Sequence, residues 1–148
     1  MATESRPGKP RANVQEFQWP VRVYYEDTDA AGVVYHSNYL KFMERARTEW
    51  LRALGFSQQR LREEEGILFV VTDMTVSFQR PARFDDQLDV TTRIHNMNAA
   101  SLIFSQAIIN AAGKPVCAAD VTVACLDAAG MKPRRIPAAV RKEFGHDG

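Results

Sequence analysis

The stretch SNYLKFMERARTEWLRALG, residues 37–55, decides the fold. Tyr39, Phe42, Met43, Ala46, Trp50, Ala53 and Leu54 recur at steps of three and four, while Lys41, Arg45, Thr48, Glu49 and Arg52 fall on the other side. That spacing predicts an amphipathic helix of about five turns. Ser37 or Asn38 is placed to cap its start, and Gly55 stands just past its end. A shorter helix is predicted over 57–65, stopped by Gly66.

From Ile67 the period changes from helical to two. Leu68, Val70, Met74, Val76 and Phe78 alternate with Asp73, Thr75, Ser77 and Gln79, and Pro81 ends the strand. Leu88, Val90 and Ile94 mark a second strand, residues 101–110 a third and residues 116–127 a fourth. Short links predict antiparallel hairpins between them. Upstream of the helix, Val21 to Glu26 reads as a strand and residues 27–36 as a loop. A long apolar helical stripe needs a sheet to cover it, so the expected class is α+β: one long helix wrapped by a curved antiparallel sheet of about five strands. The expected division is a leader over 1–18, one domain over 19–138 and a C-terminal tail over 139–148. The sheet's open edge favours pairing with a second copy.

A chain of 148 residues, 45% of them hydrophobic, can bury a core as one domain. A formal net charge of +1 gives no field for nucleic acid. The longest apolar run, Ile67 to Val71, is too short to span a bilayer, and the first residues show no secretory pattern, so a cytoplasmic protein without a membrane span is expected. Cys117 and Cys125 lie on one strand, too far apart to bridge each other, and read as buried free thiols.

Chemistry concentrates in YYEDTDAAGVVYHSNYL, residues 24–40. Glu26, Asp27 and Asp29 do not resemble a calcium loop, because Ala30, Ala31, Gly32, Val33 and Val34 follow and offer no side-chain oxygens. Asp27 and Asp29 both suit a turn. The loop also leads into a helix N-terminus, whose unpaired amides suit an oxyanion. Gly32 permits close approach of a ligand, and Tyr25, Asp29 and His36 bring a phenol, a carboxylate and an imidazole within twelve residues. Taken singly, His36 fits a helix-start polar residue and Tyr25 a packed aromatic. Glu44 is a second helix carboxylate, with a solvated pair to Arg47 as its ordinary reading. His95 and His146 receive no role. Arg80, Arg83, Lys132 and Arg134 form basic groups suited to phosphates, or to solvated loops.

The run Asp29-x-x-Gly32-Val33-Val34-Tyr35-His36, followed by Asn38-Tyr39 and Glu44-Arg45-Ala46-Arg47, resembles the hot-dog-fold acyl-CoA thioesterases of the 4-hydroxybenzoyl-CoA thioesterase type. Within them it is most similar to the Tol–Pal-cluster-associated branch. The resemblance continues through FVVTDMTVSFQRPARFDD, SLIFSQAI and MKPRRIP, covering roughly residues 20–138. It implies a hot-dog fold and hydrolysis of acyl-CoA to a free acid and CoA. It implies Asp29 as nucleophile or general base, an amide near His36 polarising the carbonyl, and His36 and Tyr25 beside them. It implies no metal or prosthetic group, and a homo-oligomer, dimer or tetramer, with the site between subunits. Arg80, Arg83, Lys132 and Arg134 are then the candidates for the CoA phosphates. The alternative is a partner of acyl carrier protein, or of a lipid complex, with little catalysis.

Overall fold

A computed structural model describes residues 15–145. Most of the expected leader, residues 1–14, lies outside the described residues, as does His146. Five strands form one antiparallel sheet: β1 (Glu16–Arg22), β2 (Ile67–Phe78), β3 (Gln87–Met97), β4 (Ser101–Asn110) and β5 (Pro115–Asp127). Their order is β1-β3-β4-β5-β2. The long helix α1 (His36–Ala53) packs on one face, and a short helix α2 (Gln58–Arg60) and a π-turn lead from it to β2.

Helix α1 buries Tyr39, Phe42, Met43, Ala46, Trp50 and Leu51. The expected stripe is corrected at its end: Ala53 is exposed and Leu51 takes the inward place. Leu51 belongs to the row Met43–Arg47–Leu51. A charged residue in that row makes it read as polar, but Arg47 turns inward and its Nη1 donates to Gln106 Oε1 at 2.9 Å. Gly55, at φ +99°, closes the helix. Its N–H reaches Arg52 O and the N–H of Phe56 reaches Leu51 O, both at 3.0 Å, a Schellman pair.

The first strand begins earlier than its sequence pattern suggests. β1 occupies Glu16–Arg22, and Tyr25–Asp27 is a 3-10 turn rather than its continuation. Pro20 is tolerated because β1 pairs only with β3 and lies at the sheet edge. The ordered unit therefore extends upstream of residue 19. It also extends past 138: a third helix, α3 (Ala138–Glu143), buries Val140, and Phe144 packs 4.9 Å from Trp50.

β3–β4 and β4–β5 are hairpins as expected, but β2 pairs with β5 and not with β3. Residues 79–86 must therefore cross the end of the sheet, and they pass the start of α1. A bulge between Val71 and Asp73 also flips the parity of β2. Phe69, Val71, Met74, Val76 and Phe78 oppose Cys125, Val123, Val121, Ala119 and Cys117, all buried. Leu68 and Val70 thus lie on the other face from Met74, contrary to the uninterrupted alternation. Among the described residues, no helix is long and apolar enough to cross a membrane.

Both cysteines are free and buried. Burial pushes the Cys117 thiol from its ordinary 9.0 up to about 11, with a partly offsetting hydrogen bond from the Ala118 backbone. In the unfolded chain this thiol ionises near pH 9, whereas in the folded chain it holds its proton until about pH 11. Its contribution to stability is intact below pH 9 and is lost as pH rises toward 11, by about 2–3 kcal/mol. Urea unfolding of the native chain and of Cys117→Ala from pH 8 to 11 should show the steeper fall only in the native chain.

Candidate active site

The site is built on the connection from β1 to α1. Asp27 organises its first half. Asp27 Oδ2 accepts the Tyr24 N–H at 2.8 Å, closing the 3-10 turn, while its carbonyl accepts the Tyr35 N–H at 3.1 Å and Asn38 Nδ2 at 2.8 Å. Asp27 is thus a turn residue that anchors the start of α1, one of the two readings its sequence allowed. Asn38 does not cap the helix. Its amide is spent on Asp27, and the N-cap position is held by Tyr35, without any side-chain cap bond.

Asp29 organises the second half. Its N–H reaches Val33 O at 2.9 Å, and its carbonyl accepts the Gly32 N–H at 3.0 Å. Its Oδ1 accepts the amides of Ala31 at 2.8 Å and Val33 at 3.4 Å. Among the described residues, Oδ2 accepts no hydrogen bond. The carboxylate is therefore held by one oxygen and presents the other. Gly32 sits at φ +82°, and a Cβ there would meet nothing within 4 Å. The turn needs glycine for its backbone conformation, not for close approach within this chain.

The mouth of α1 carries no capping side chain and no acidic residue in its first turn. Its leading amides are consequently open to an oxyanion, with the helix dipole behind them. Asp29 and this mouth are joined by only a few residues of ordered backbone.

The other predicted groups are distributed less simply. His36 is the first residue of α1, with its ring 4.9 Å from Phe78. Tyr25 is exposed, edge-on to Phe84 at 5.9 Å. Among the described residues, neither side chain is hydrogen-bonded to Asp29. Tyr25, Tyr35, Phe78 and Phe84 instead form an exposed aromatic rim around the loop. Glu26 is exposed in the 3-10 turn. No three acids, histidines or cysteines among the described residues are grouped to hold a metal ion.

The four basic candidates separate into two pairs. Arg80 and Arg83 follow the C-terminal end of β2, and Arg83 bridges Val33 of the Asp29 loop. Arg80 Nη1 donates to Pro115 O at 2.7 Å. Lys132 and Arg134 sit by the other end of β2, where Arg134 bonds Gly66 O at 3.3 Å and Asp127 Oδ1 at 3.4 Å. A strand the length of β2 spans about 36 Å. One phosphate site in one chain cannot use both pairs.

A cleft of about 180 Å³ opens between α1 and the β2–β5 side of the sheet. Glu44, Arg47 and Thr48 stand on its helix wall, with Leu51, Phe69 and Phe104 deeper. The expected surface pair Glu44–Arg47 is not formed. Burial lowers the Arg47 pKa, offset in part by the charge of Glu44, and its partner is Gln106. Gln106 Nε2 also donates to Met43 O at 3.0 Å and Thr92 Oγ1 at 2.9 Å, so a buried polar network pins the helix to the sheet. Position 106 falls on the same alternating face as Leu102, Phe104 and Ile108, which is the sequence signal for it. Phe42, Met43 and Trp50 are buried core and do not line this cleft, whereas Phe69 does.

A single long helix held against a five-stranded antiparallel sheet of this order is the hot-dog fold. The profile of the thioesterase-like superfamily matches residues 23–144. An acyl-CoA thioester hydrolase YbgC of Escherichia coli O6:H1 is 52% identical over 132 residues, covering 89% of this chain and 98% of that one. The solved structure of a probable thioesterase from Bartonella henselae superposes with TM-score 0.76 at 40% identity, covering 84% and 99% of the two chains. That of Slr0204, a 1,4-dihydroxy-2-naphthoyl-CoA thioesterase from Synechocystis, shares the fold with TM-score 0.83 at 24% identity, covering 88% and 96%. The chain belongs to the thioesterase-like superfamily.

Proposed function

We propose that this hot-dog thioesterase hydrolyses acyl-CoA at the loop between β1 and α1. Attack on the thioester carbonyl places negative charge on its oxygen. The first amides of α1, those of His36 and Ser37, receive that charge, the Asn38 N–H being already bonded to Tyr35 O at 2.9 Å. Asp29 then serves as nucleophile, giving an acyl anhydride that water cleaves, or as general base for water. CoA leaves as a good thiolate, so neither route needs a stronger nucleophile. His36 and Tyr25 border the same opening and take part in binding or proton transfer once substrate closes it.

The observation that carries this reading is the pairing of Asp29, fixed through Oδ1 with Oδ2 accepting no bond among the described residues, with a helix start that lacks both cap and acid. Of the four basic candidates, Arg83 is the one bridged to the Asp29 loop. Lys132 and Arg134, at the far end of β2, would meet the same CoA only from a second copy, so a role for them requires a homo-oligomer with the β2 edge at the subunit boundary. Thiol release should be measured on short, long and aromatic acyl-CoAs. Turnover of at least one class is expected, and no release from any would contradict the reading.

A further inference from the structure

We propose that Tyr39 is a positioning residue for hydrolysis: its hydroxyl clamps the Asp29 loop to the helix that supplies the oxyanion amides. The proposal rests on the assignment of Asp29 and the helix mouth made above.

Tyr39 lies in the first turn of α1 and is 3% exposed. Its Oη accepts the N–H of Ala82 at 3.0 Å. The carbonyl of the same residue accepts the Val34 N–H at 2.8 Å. Val33, one position earlier, exchanges bonds with Asp29: its carbonyl takes the Asp29 N–H at 2.9 Å, and its own N–H reaches Asp29 Oδ1 at 3.4 Å. A continuous path of hydrogen bonds and one peptide link therefore runs from the helix, through the crossing segment, to the carboxylate. One end of the path is the Asp29 carboxylate, and the other is the first turn of the helix whose leading amides are assigned to the oxyanion. The clamp acts beside the Asp27 carbonyl bonds to Tyr35 and Asn38: those tie the first half of the loop to the helix, and the clamp ties the half that carries the Asp29 turn.

The crossing segment is held at its two ends, by the N–H groups of Gln79 and Arg80 on Val116 O at 2.9 and 3.2 Å and by the exchange between Val23 and residues 85–86 at 2.9 Å. At its middle the Ala82 N–H has Tyr39 Oη as its partner. Residues 79–86 are not part of the sheet, and Ala82 itself is 1% exposed. Removing the hydroxyl leaves the Ala82 N–H buried without its partner. The segment must then shift to find water, and it carries Val34 and the Asp29 turn with it. Burial raises the pKa of Tyr39, against the lowering effect of its bond to Ala82, so the phenol stays neutral through the working range and the clamp does not titrate. An error of about 1 Å in a reacting geometry can cost on the order of a hundredfold in rate.

The test compares Tyr39→Phe with Thr92→Val, which removes another buried hydroxyl, from the Gln106 network instead. Tyr39→Phe should lower kcat at least about tenfold with KM within about threefold, since substrate contacts are kept. Thr92→Val should retain kcat even where its thermal midpoint falls as far. Hydrogen exchange gives an independent reading: the Val34 amide should lose protection in Tyr39→Phe while amides within β4 do not. Native kcat in Tyr39→Phe, an equal loss in Thr92→Val, or unchanged exchange at Val34 would each overturn the clamp. Asp29→Asn, run beside them, separates the two ideas. If it stays active the assignment of Asp29 fails, and the exchange result still decides whether the clamp exists.

Discussion

Asp29→Asn should lose acyl-CoA hydrolysis by about 10²–10⁴-fold while melting within a few degrees of the native chain. The reason lies in how the carboxylate is held. Oδ1 accepts the Ala31 and Val33 amides, and an asparagine carbonyl oxygen accepts the same two. The turn therefore survives. What disappears is the charge and the free oxygen, so the side chain can neither attack a carbonyl nor take a proton from water. Asp29→Ala would be a poorer test, because it deletes the turn bonds as well. Thiol release against an acyl-CoA, together with a thermal melt followed by circular dichroism, separates chemistry from folding. A variant that folds and still turns over at the native rate removes Asp29 from the mechanism.

Trp50→Ala should have the largest effect on stability. Trp50 is 4% exposed and lies against Phe17 at 6.1 Å, Phe104 at 6.1 Å and Phe144 at 4.9 Å. These rings come from the first strand, the fourth strand and the C-terminal segment, so one side chain joins three distant parts of the chain to α1. Truncating it removes a large apolar surface and leaves a cavity, at a cost of about 3–5 kcal/mol. Against a total of about 5–15 kcal/mol that is severe, and the midpoint should fall by about 10 °C or more. Chemical denaturation of the variant checks the figure. A loss below about 1 kcal/mol would mean that the surrounding rings close the space.

Much of this fold was legible because its signals are local. The helical period of α1, the glycine after it and the alternation of the strands each sit within one element. The bulge in β2 was not legible, because the residues on either side of it alternate correctly by themselves. Only pairing with β5 reveals the slip that sends Leu68 and Val70 to the other face. The start of β1 was hidden by Pro20, which an edge strand tolerates. Placing β2 beside β3 followed from their short link, and failed because the link crosses the sheet instead.

The site divides along the same line. Asp29, Gly32 and the start of α1 lie within a dozen residues, so their meeting could be read directly. The absence of a cap could not, since Asn38 is a good capping residue until its amide is seen to be committed to Asp27. The basic residues were grouped by charge, whereas their separation depends on which end of β2 each follows. Tyr39 and Ala82 are 43 positions apart, and Arg47 and Gln106 are 59 apart. No spacing rule joins them, and their links arise only when the sheet curves over the helix.

The central claim is that the thioester carbonyl is received by the first amides of α1 beside Asp29. The most direct measurement is a titration of ¹⁵N-labelled Asp29→Asn, which is expected to turn substrate over slowly, with an acyl-CoA, following each backbone amide. The largest shifts should fall on His36, Ser37 and the amides of the 29–34 turn. Shifts confined to the cleft beside Glu44, Arg47 and Leu51, with His36 and Ser37 unmoved, would contradict it.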